Sequence, residues 1–250
     1  YDCIPDFDYG ECTFLASYLP WADSDGMEHR NSTVLTFPGR LPENSLRVLG
    51  TVAHEFFHAW NIERIRPATL EPFDFESANV SFELWFGEGF TSYYDDLAMA
   101  RAGIIDERGF GTRMGALVNT VLNSAGRRFR SPVAMSMRAP FVDAAVSVDA
   151  QNRGNTFISY YTWGAALGLA LDLSIRDQFE GKSLDHVMQR MWETHGKPFK
   201  PYTVDDIEAA LAQETSPDFA ATFFESYIRG HDVPNYAQLL ATAGYSLGPL

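Results

Sequence analysis

Basic residues are scarce in this chain: 19 stand against 33 acidic ones, a net charge of −14. A phosphate backbone and an anionic membrane surface both recruit basic patches, so neither nucleic acid nor a membrane is expected as a partner. The charge is compatible with a cationic ligand such as a free amino terminus, without identifying one. Nowhere does an apolar run reach the length that spans a bilayer, and the opening Tyr1-Asp2-Cys3-Ile4-Pro5 lacks the pattern of a signal peptide. That start is abrupt enough to belong inside a longer protein. Cysteine is limited to Cys3 and Cys12, which leaves two readings, a pair closing a short loop or two free thiols. The compartment, exported or cytoplasmic, is therefore not resolved. Internal repeats, low-complexity tracts and linkers are also missing.

What remains is an ordinary globular composition, 46% hydrophobic and 21% charged. Two hundred and fifty residues suffice for one large domain or two small ones around a substantial core. The most informative stretch is Thr51-Val52-Ala53-His54-Glu55-Phe56-Phe57-His58-Ala59-Trp60-Asn61. It sets His-Glu-x-x-His inside an apolar helical run. Residues four apart lie on one helix face, so the imidazoles of His54 and His58 converge on a single ion. Zinc suits them, because it takes neutral imidazole nitrogens and needs one further protein ligand to keep a position open for water. Glu55, adjacent to both, is placed to act on that water as a general base. One Zn2+ per chain is expected.

In chain order, Cys12 to Leu19 and Thr33 to Phe37 read as strands bounded by Pro, Gly or Asp. Asp25 to Asn31 between them reads as a polar turn containing Glu28. Asn44 or Ser45 caps the zinc helix, which runs to about Ile62. Phe82 to Arg101 reads as a second long helix with Gly103 at its C-terminal cap. A third is expected from about Glu107 to Ala125, and Arg127 to Asn155 shows no clear period. Phe157 to Phe179 is apolar on several faces, the pattern of a buried core helix. The remainder is a train of helices opened by Ser183, by Thr203 with Asp206, by Ser216-Pro217 and by Asn235. The expected architecture is α+β and mainly helical, with strands in about 1–43, zinc helices in about 44–102 and a helical lobe in about 103–250.

A third zinc ligand is expected in Leu84-Trp85-Phe86-Gly87-Glu88-Gly89-Phe90-Thr91. Glu88 is an acid in an apolar, aromatic stretch, where an unpaired buried carboxylate is costly and coordination to a cation relieves it. Asp95, two turns further along the same face, is a candidate to take a proton from a ligating imidazole, with Asp96 as its rival.

These two motifs together, His54 to Asn61 and Trp85 to Tyr94, resemble the glycyl aminopeptidase family of gluzincin metallopeptidases, related to the aminopeptidase N group and to thermolysin. The resemblance implies a thermolysin-like catalytic domain holding zinc through His54, His58 and Glu88. Whole members carry an N-terminal β domain and a C-terminal PDZ domain, and neither fits within these residues. The chain therefore looks like the catalytic part of a longer enzyme. Asp25-Gly26-Met27-Glu28-His29 is similar to the Gly-x-Met-Glu-Asn motif of aminopeptidases, whose acid grips the substrate's free α-ammonium. Asp and His stand here at that motif's first and last positions. Ser159 to Gly164 is similar to their Tyr-x-Lys-Gly segment, which makes Tyr161 the oxyanion donor and leaves Tyr160 as the alternate, since Trp163 replaces the Lys.

The implied activity is removal of a small first residue, glycine or alanine, from peptides with a free amino terminus. Two other readings keep the same zinc residues. One is a thermolysin-type endopeptidase without the amine clamp, and the other a catalytically silent zinc-bearing binding module.

Overall fold

The computed structural model describes residues 10–142 and 151–248. Three strands open it: β1 (Thr13–Tyr18), β2 (Asp25–His29) and β3 (Ser32–Phe37). They form one mixed sheet in the order β1-β3-β2, with β1 parallel and β2 antiparallel to β3. Leu35 and Phe37 turn inward from β3, while β1 is exposed along most of its length. The segment read as a polar turn is mostly strand: β2 pairs Asp25 with Thr36 through to His29 with Ser32, leaving Arg30 and Asn31 as a two-residue loop. Its residues lack the apolar alternation of a half-buried strand because it runs along an edge over a polar site.

Helix α1 (Leu41–Phe57) follows, with its N-cap at Arg40 rather than at Asn44 or Ser45, so it starts about one turn earlier than expected. Pro42 sits in its first turn, where a missing N–H does no harm. Asn44 instead interrupts the helix with non-helical torsions (φ −124°, ψ 15°) and donates its side chain to Arg40 O at 2.9 Å. The second long helix is two pieces, α2 (Leu84–Gly87) and α3 (Gly89–Arg101), broken at Glu88 between two glycines. Gly103 does carry the positive φ (69°) of a helix-ending residue. Next come α4 (Glu107–Asn123), capped by Asp106, and three short helices, α5 (Pro132–Ser136), α6 (Ala139–Val142) and α7 (Arg153–Thr156).

The core is built on α8 (Tyr160–Gln178), buried on nearly every face, as its apolar sequence requires. Phe90 on α3, Trp163 and Leu167 on α8 and Val118 on α4 are all fully buried. Each such side chain contributes about 1.5–3 kcal/mol relative to exposure. α3 and α8 approach so closely that a Cβ on Gly89 would collide with the Gly164 backbone, and one on Gly164 with Trp85 O. Only glycine fits at this crossing, which sets the start of α8 against the segment carrying Glu88. Helices α9 (Leu184–Met191), α10 (Val204–Glu214), α11 (Pro217–Phe223) and α12 (Tyr236–Thr242) complete the chain. Their caps at Ser183, Thr203, Ser216 and Asn235 are those the sequence marks. α9 and α11 each run on into a π-type turn, Trp192–Gly196 and Phe224–Arg229. No helix among the described residues is long and apolar enough to cross a membrane. Cys12 has no disulfide partner among the described residues; Cys3 lies outside them, and so does the question of their pairing.

Candidate active site

His54 and Glu55 occupy the last turn of α1. His58 stands just past its end, earlier than the Ile62 terminus the sequence suggested, but keeps helical torsions (φ −61°, ψ −20°) and donates its N–H to His54 O at 3.2 Å. The one-face relation of the two histidines therefore survives the helix end. Their Nε2 atoms face each other at 3.1 Å, and Glu88 Oε2 lies 3.1 Å from His58 Nε2 and 3.5 Å from His54 Nε2. Asp95 and Asn61 hold the rings from behind: His54 Nδ1 is 3.0 Å from Asp95 Oδ2, and His58 Nδ1 is 2.7 Å from Asn61 O. A carbonyl and a carboxylate only accept, so each Nδ1 carries a proton and donates it. Both Nε2 atoms are then left with lone pairs pointing into the same small space. Glu88 Oε2 is buried, and its close polar neighbours are the two imidazole Nε2 atoms.

Three atoms able to offer a lone pair converge here, so the cluster could hold a cation in the place a shared proton takes without one. The electrostatics agree. Burial opposes charging His54, yet its hydrogen bonds with Asp95 and Glu88 outweigh that and carry its pKa up to about 10. Burial likewise opposes a charged Glu88, but His58 and His54 hold its carboxyl well below the usual range. Positive charge is favoured at this point, and two imidazole nitrogens with one carboxylate match the preferences of zinc. Asp95, pushed up to about 6 by burial against the pull of its bond to His54, stays within reach of the imidazole proton. Its rival Asp96 is engaged elsewhere, accepting from Arg113 Nη1 at 2.6 Å.

Asn61 and Thr91 tie the two halves of this cluster together. Besides accepting from His58, Asn61 donates its Nδ2 to Phe86 O (3.1 Å), Gly87 O (3.2 Å) and Thr91 Oγ1 (3.1 Å). Thr91 in turn donates to Gly87 O at 2.6 Å. These bonds fix the residues just before Glu88 onto the turn just after His58. The role of Asn61 was not evident from the sequence, although it closes the histidine motif; a side chain's partners across a fold leave no mark on local periodicity.

Glu55 faces the sheet. A Cβ on Gly26 would overlap the Glu55 carboxylate, so glycine here lets β2 lie against that side chain as it stands. Burial pushes the Glu55 carboxyl up to about 7, against the opposing pull of the two imidazoles and with help from Glu28 and Glu88. Ligating atoms of Glu28, Glu55 and His58 lie within 4.8 Å of one another, as do those of His54, His58 and Glu88. His58 thus belongs to two triads. The second contains two adjacent carboxylates and leaves His54 Nε2 unused, so the donor set of the first is the better match to a metal. Tyr160 and Tyr161 part company: Tyr160 is buried in the core, while Tyr161, half-buried, lays its ring beside His54 with centroids 6.2 Å apart.

Residues 47–167 match the family model of M61 glycyl aminopeptidase. The crystal structure of an aminopeptidase N family protein from Idiomarina loihiensis is similar over 96% of this chain, with a TM-score of 0.86 and 28% identity. This chain spans 42% of that one. No curated protein matches it. The resemblance read from the two motifs is found again in both matches.

Proposed function

We propose, from the premise that residues 47–167 resemble the M61 glycyl aminopeptidases, that this chain is the thermolysin-like catalytic part of a longer zinc aminopeptidase. Its substrates are peptides with a free amino terminus and a small first residue, glycine or alanine. The observation that carries the reading is the convergence of His54 Nε2, His58 Nε2 and Glu88 Oε2, backed by proton donation from both Nδ1 atoms. These three residues would hold one zinc, which when bound acidifies water and polarises the scissile carbonyl.

The chain's own groups supply the rest. Glu55, kept basic by burial, accepts the proton of the attacking water and returns it to the departing amine. Asp95 and Asn61 O hold the imidazoles in the tautomer that leaves each Nε2 free to ligate. Tyr161, beside His54, donates its hydroxyl to the oxyanion as charge develops on it. Glu28, on the edge strand next to Glu55, receives the substrate's α-ammonium and so measures one residue from amine to scissile bond. A net charge of −14 favours an ammonium-bearing ligand over an anionic one. Nucleic acid and membrane are not partners in this reading, and β and PDZ domains flank the chain in the whole protein.

The experiment is a comparison of turnover on an alanyl peptide and its N-acetylated form. An amine clamp makes the free-amine peptide the better substrate by about 10-fold or more, the loss expected when a half-buried carboxylate such as Glu28 is left without its charged partner. Equal turnover of the two would favour the endopeptidase, and no turnover by zinc-loaded protein the binding module.

A further inference from the structure

Arg64 lies six residues beyond His58 and is 1% exposed. Its Nη1 donates to Arg30 O at 2.6 Å and to Ala59 O at 2.7 Å, and its Nη2 to Asn31 Oδ1 at 3.0 Å. Arg30 and Asn31 are the whole loop between β2 and β3, and Ala59 is the residue after His58. One planar guanidinium therefore fastens the tip of the hairpin carrying Glu28 to the turn that leaves the histidine motif.

That turn is itself rigidly made. Glu63 N donates to His58 O at 3.1 Å, and Arg64 N and Ile65 N donate to Trp60 O at 3.2 and 2.7 Å. Ile62, β-branched and buried, is held at φ 115°, a conformation that persists only where its surroundings over-determine it. The fixed turn matters because the site is crowded with like charge. Glu28 and Glu55 bring carboxylate oxygens within 4.8 Å of one another, and Glu88 lies across His58 from them. Repulsion pushes β2, an edge strand, away from α1 whenever no cationic group lies between. A buried cation gripping the loop two residues beyond Glu28 opposes that drift.

We propose that Arg64 is a positioning residue for the amine clamp: by bonding Arg30 and Asn31 to Ala59 it sets the distance from Glu28 to Glu55, and so the preference for a free amino terminus. This rests on the reading of Glu28 as the ammonium acceptor. The bonds described for Arg64 go to Arg30, Asn31 and Ala59 and not to His54, His58 or Glu88, so its removal loosens the clamp and spares the zinc.

The test uses the 250-residue chain loaded with zinc, an alanyl peptide and its N-acetylated form, and the variants Arg64→Gln, Arg64→Lys, Asn31→Ala and Glu28→Gln. Arg64→Gln raises KM for the free-amine peptide about tenfold or more, with kcat, zinc content and turnover of the acetylated peptide near wild type. Arg64→Lys keeps the charge without the fork and behaves like Arg64→Gln. Asn31→Ala, at an exposed loop tip, removes one of the bonds and shows a smaller shift of the same kind; should Arg64→Gln not fold, this variant decides. Folded variants with unaltered amine preference overturn the proposal, as does a parallel loss on both peptides accompanied by loss of zinc. A wild type indifferent to acetylation, with Glu28→Gln equally active, instead removes the Glu28 reading beneath it.

Discussion

The candidate site has two sides made by different physics. On the helical side, His54 and His58 come from α1 and its end, Glu88 and Asp95 from α3 and its start, and within each pair the spacing along the chain sets the spacing in space. On the sheet side, Gly26 and Glu28 reach the same cleft from an edge strand, through pairing with β3 and a bond to Arg64. The helical side is local, buried and cross-bonded through Asn61. The sheet side is held from a distance and meets Glu55 with like charge. In the function proposed, the helices carry the chemistry and the strand the selectivity.

The largest expected effect tests the helical side alone. Glu55→Gln removes the proton acceptor but no metal ligand, so turnover falls about 10³-fold, within the usual range for a general base. Zinc content stays at one per chain, and both the free-amine and acetylated peptides lose activity alike. Steady-state kinetics beside metal analysis checks this, and retained turnover would sever Glu55 from the chemistry.

A smaller effect joins the two sides. Gly26→Ala places a methyl where the Glu55 carboxylate now sits. That carboxylate is the mobile end of a side chain and can move aside, so stability changes by no more than about 1 kcal/mol. Displacement of the base by an ångström nevertheless lowers turnover about 100-fold. A thermal melt close to wild type together with poor turnover is the outcome to look for; full activity would show that the close approach of β2 is immaterial.

The smallest effect lies away from both sides and sets their scale. Glu214 on α10 accepts from Lys182 Nζ at 2.9 Å and from Arg190 Nη2 at 2.7 Å. Burial pushes its carboxyl up, but these hydrogen bonds outweigh burial and hold it below its ordinary value. A depressed folded pKa stabilises fully above the unfolded value, and that stability is lost as pH falls through the folded one. Glu214→Gln therefore lowers stability by about 1 kcal/mol at pH 7, a melting shift of about 2–4 °C, and by less below pH 4. Melting curves at the two pH values check the sign, with turnover unchanged.

Much of the helical side was legible in the sequence. The four-residue spacing of the histidines and the seven residues from Glu88 to Asp95 each describe one face of a local segment, which geometry converts directly into neighbours. Caps at Ser183, Thr203, Ser216 and Asn235 were legible for the same reason, being satisfied within one turn of the chain. The break at Glu88 was marked by glycines on either side, yet the continuous apolar pattern masked it. The sheet side was legible only through resemblance. Asp25-Gly26-Met27-Glu28-His29 carries turn-forming residues and no apolar alternation, because its partners are a neighbouring strand and a carboxylate rather than a core. Asn61, Arg64 and the Gly89–Gly164 crossing depend on contacts between distant segments, for which a single sequence has no period to read.

Zinc soaked into crystals of the chain and located by its anomalous scattering tests the helical side most directly, because His58 belongs to two rival triads. The expected result is a single peak within about 2.0–2.2 Å of His54 Nε2, His58 Nε2 and Glu88 Oε2, with Glu55 near but not ligating. A peak seated instead among Glu28, Glu55 and His58, or none at all, would contradict it.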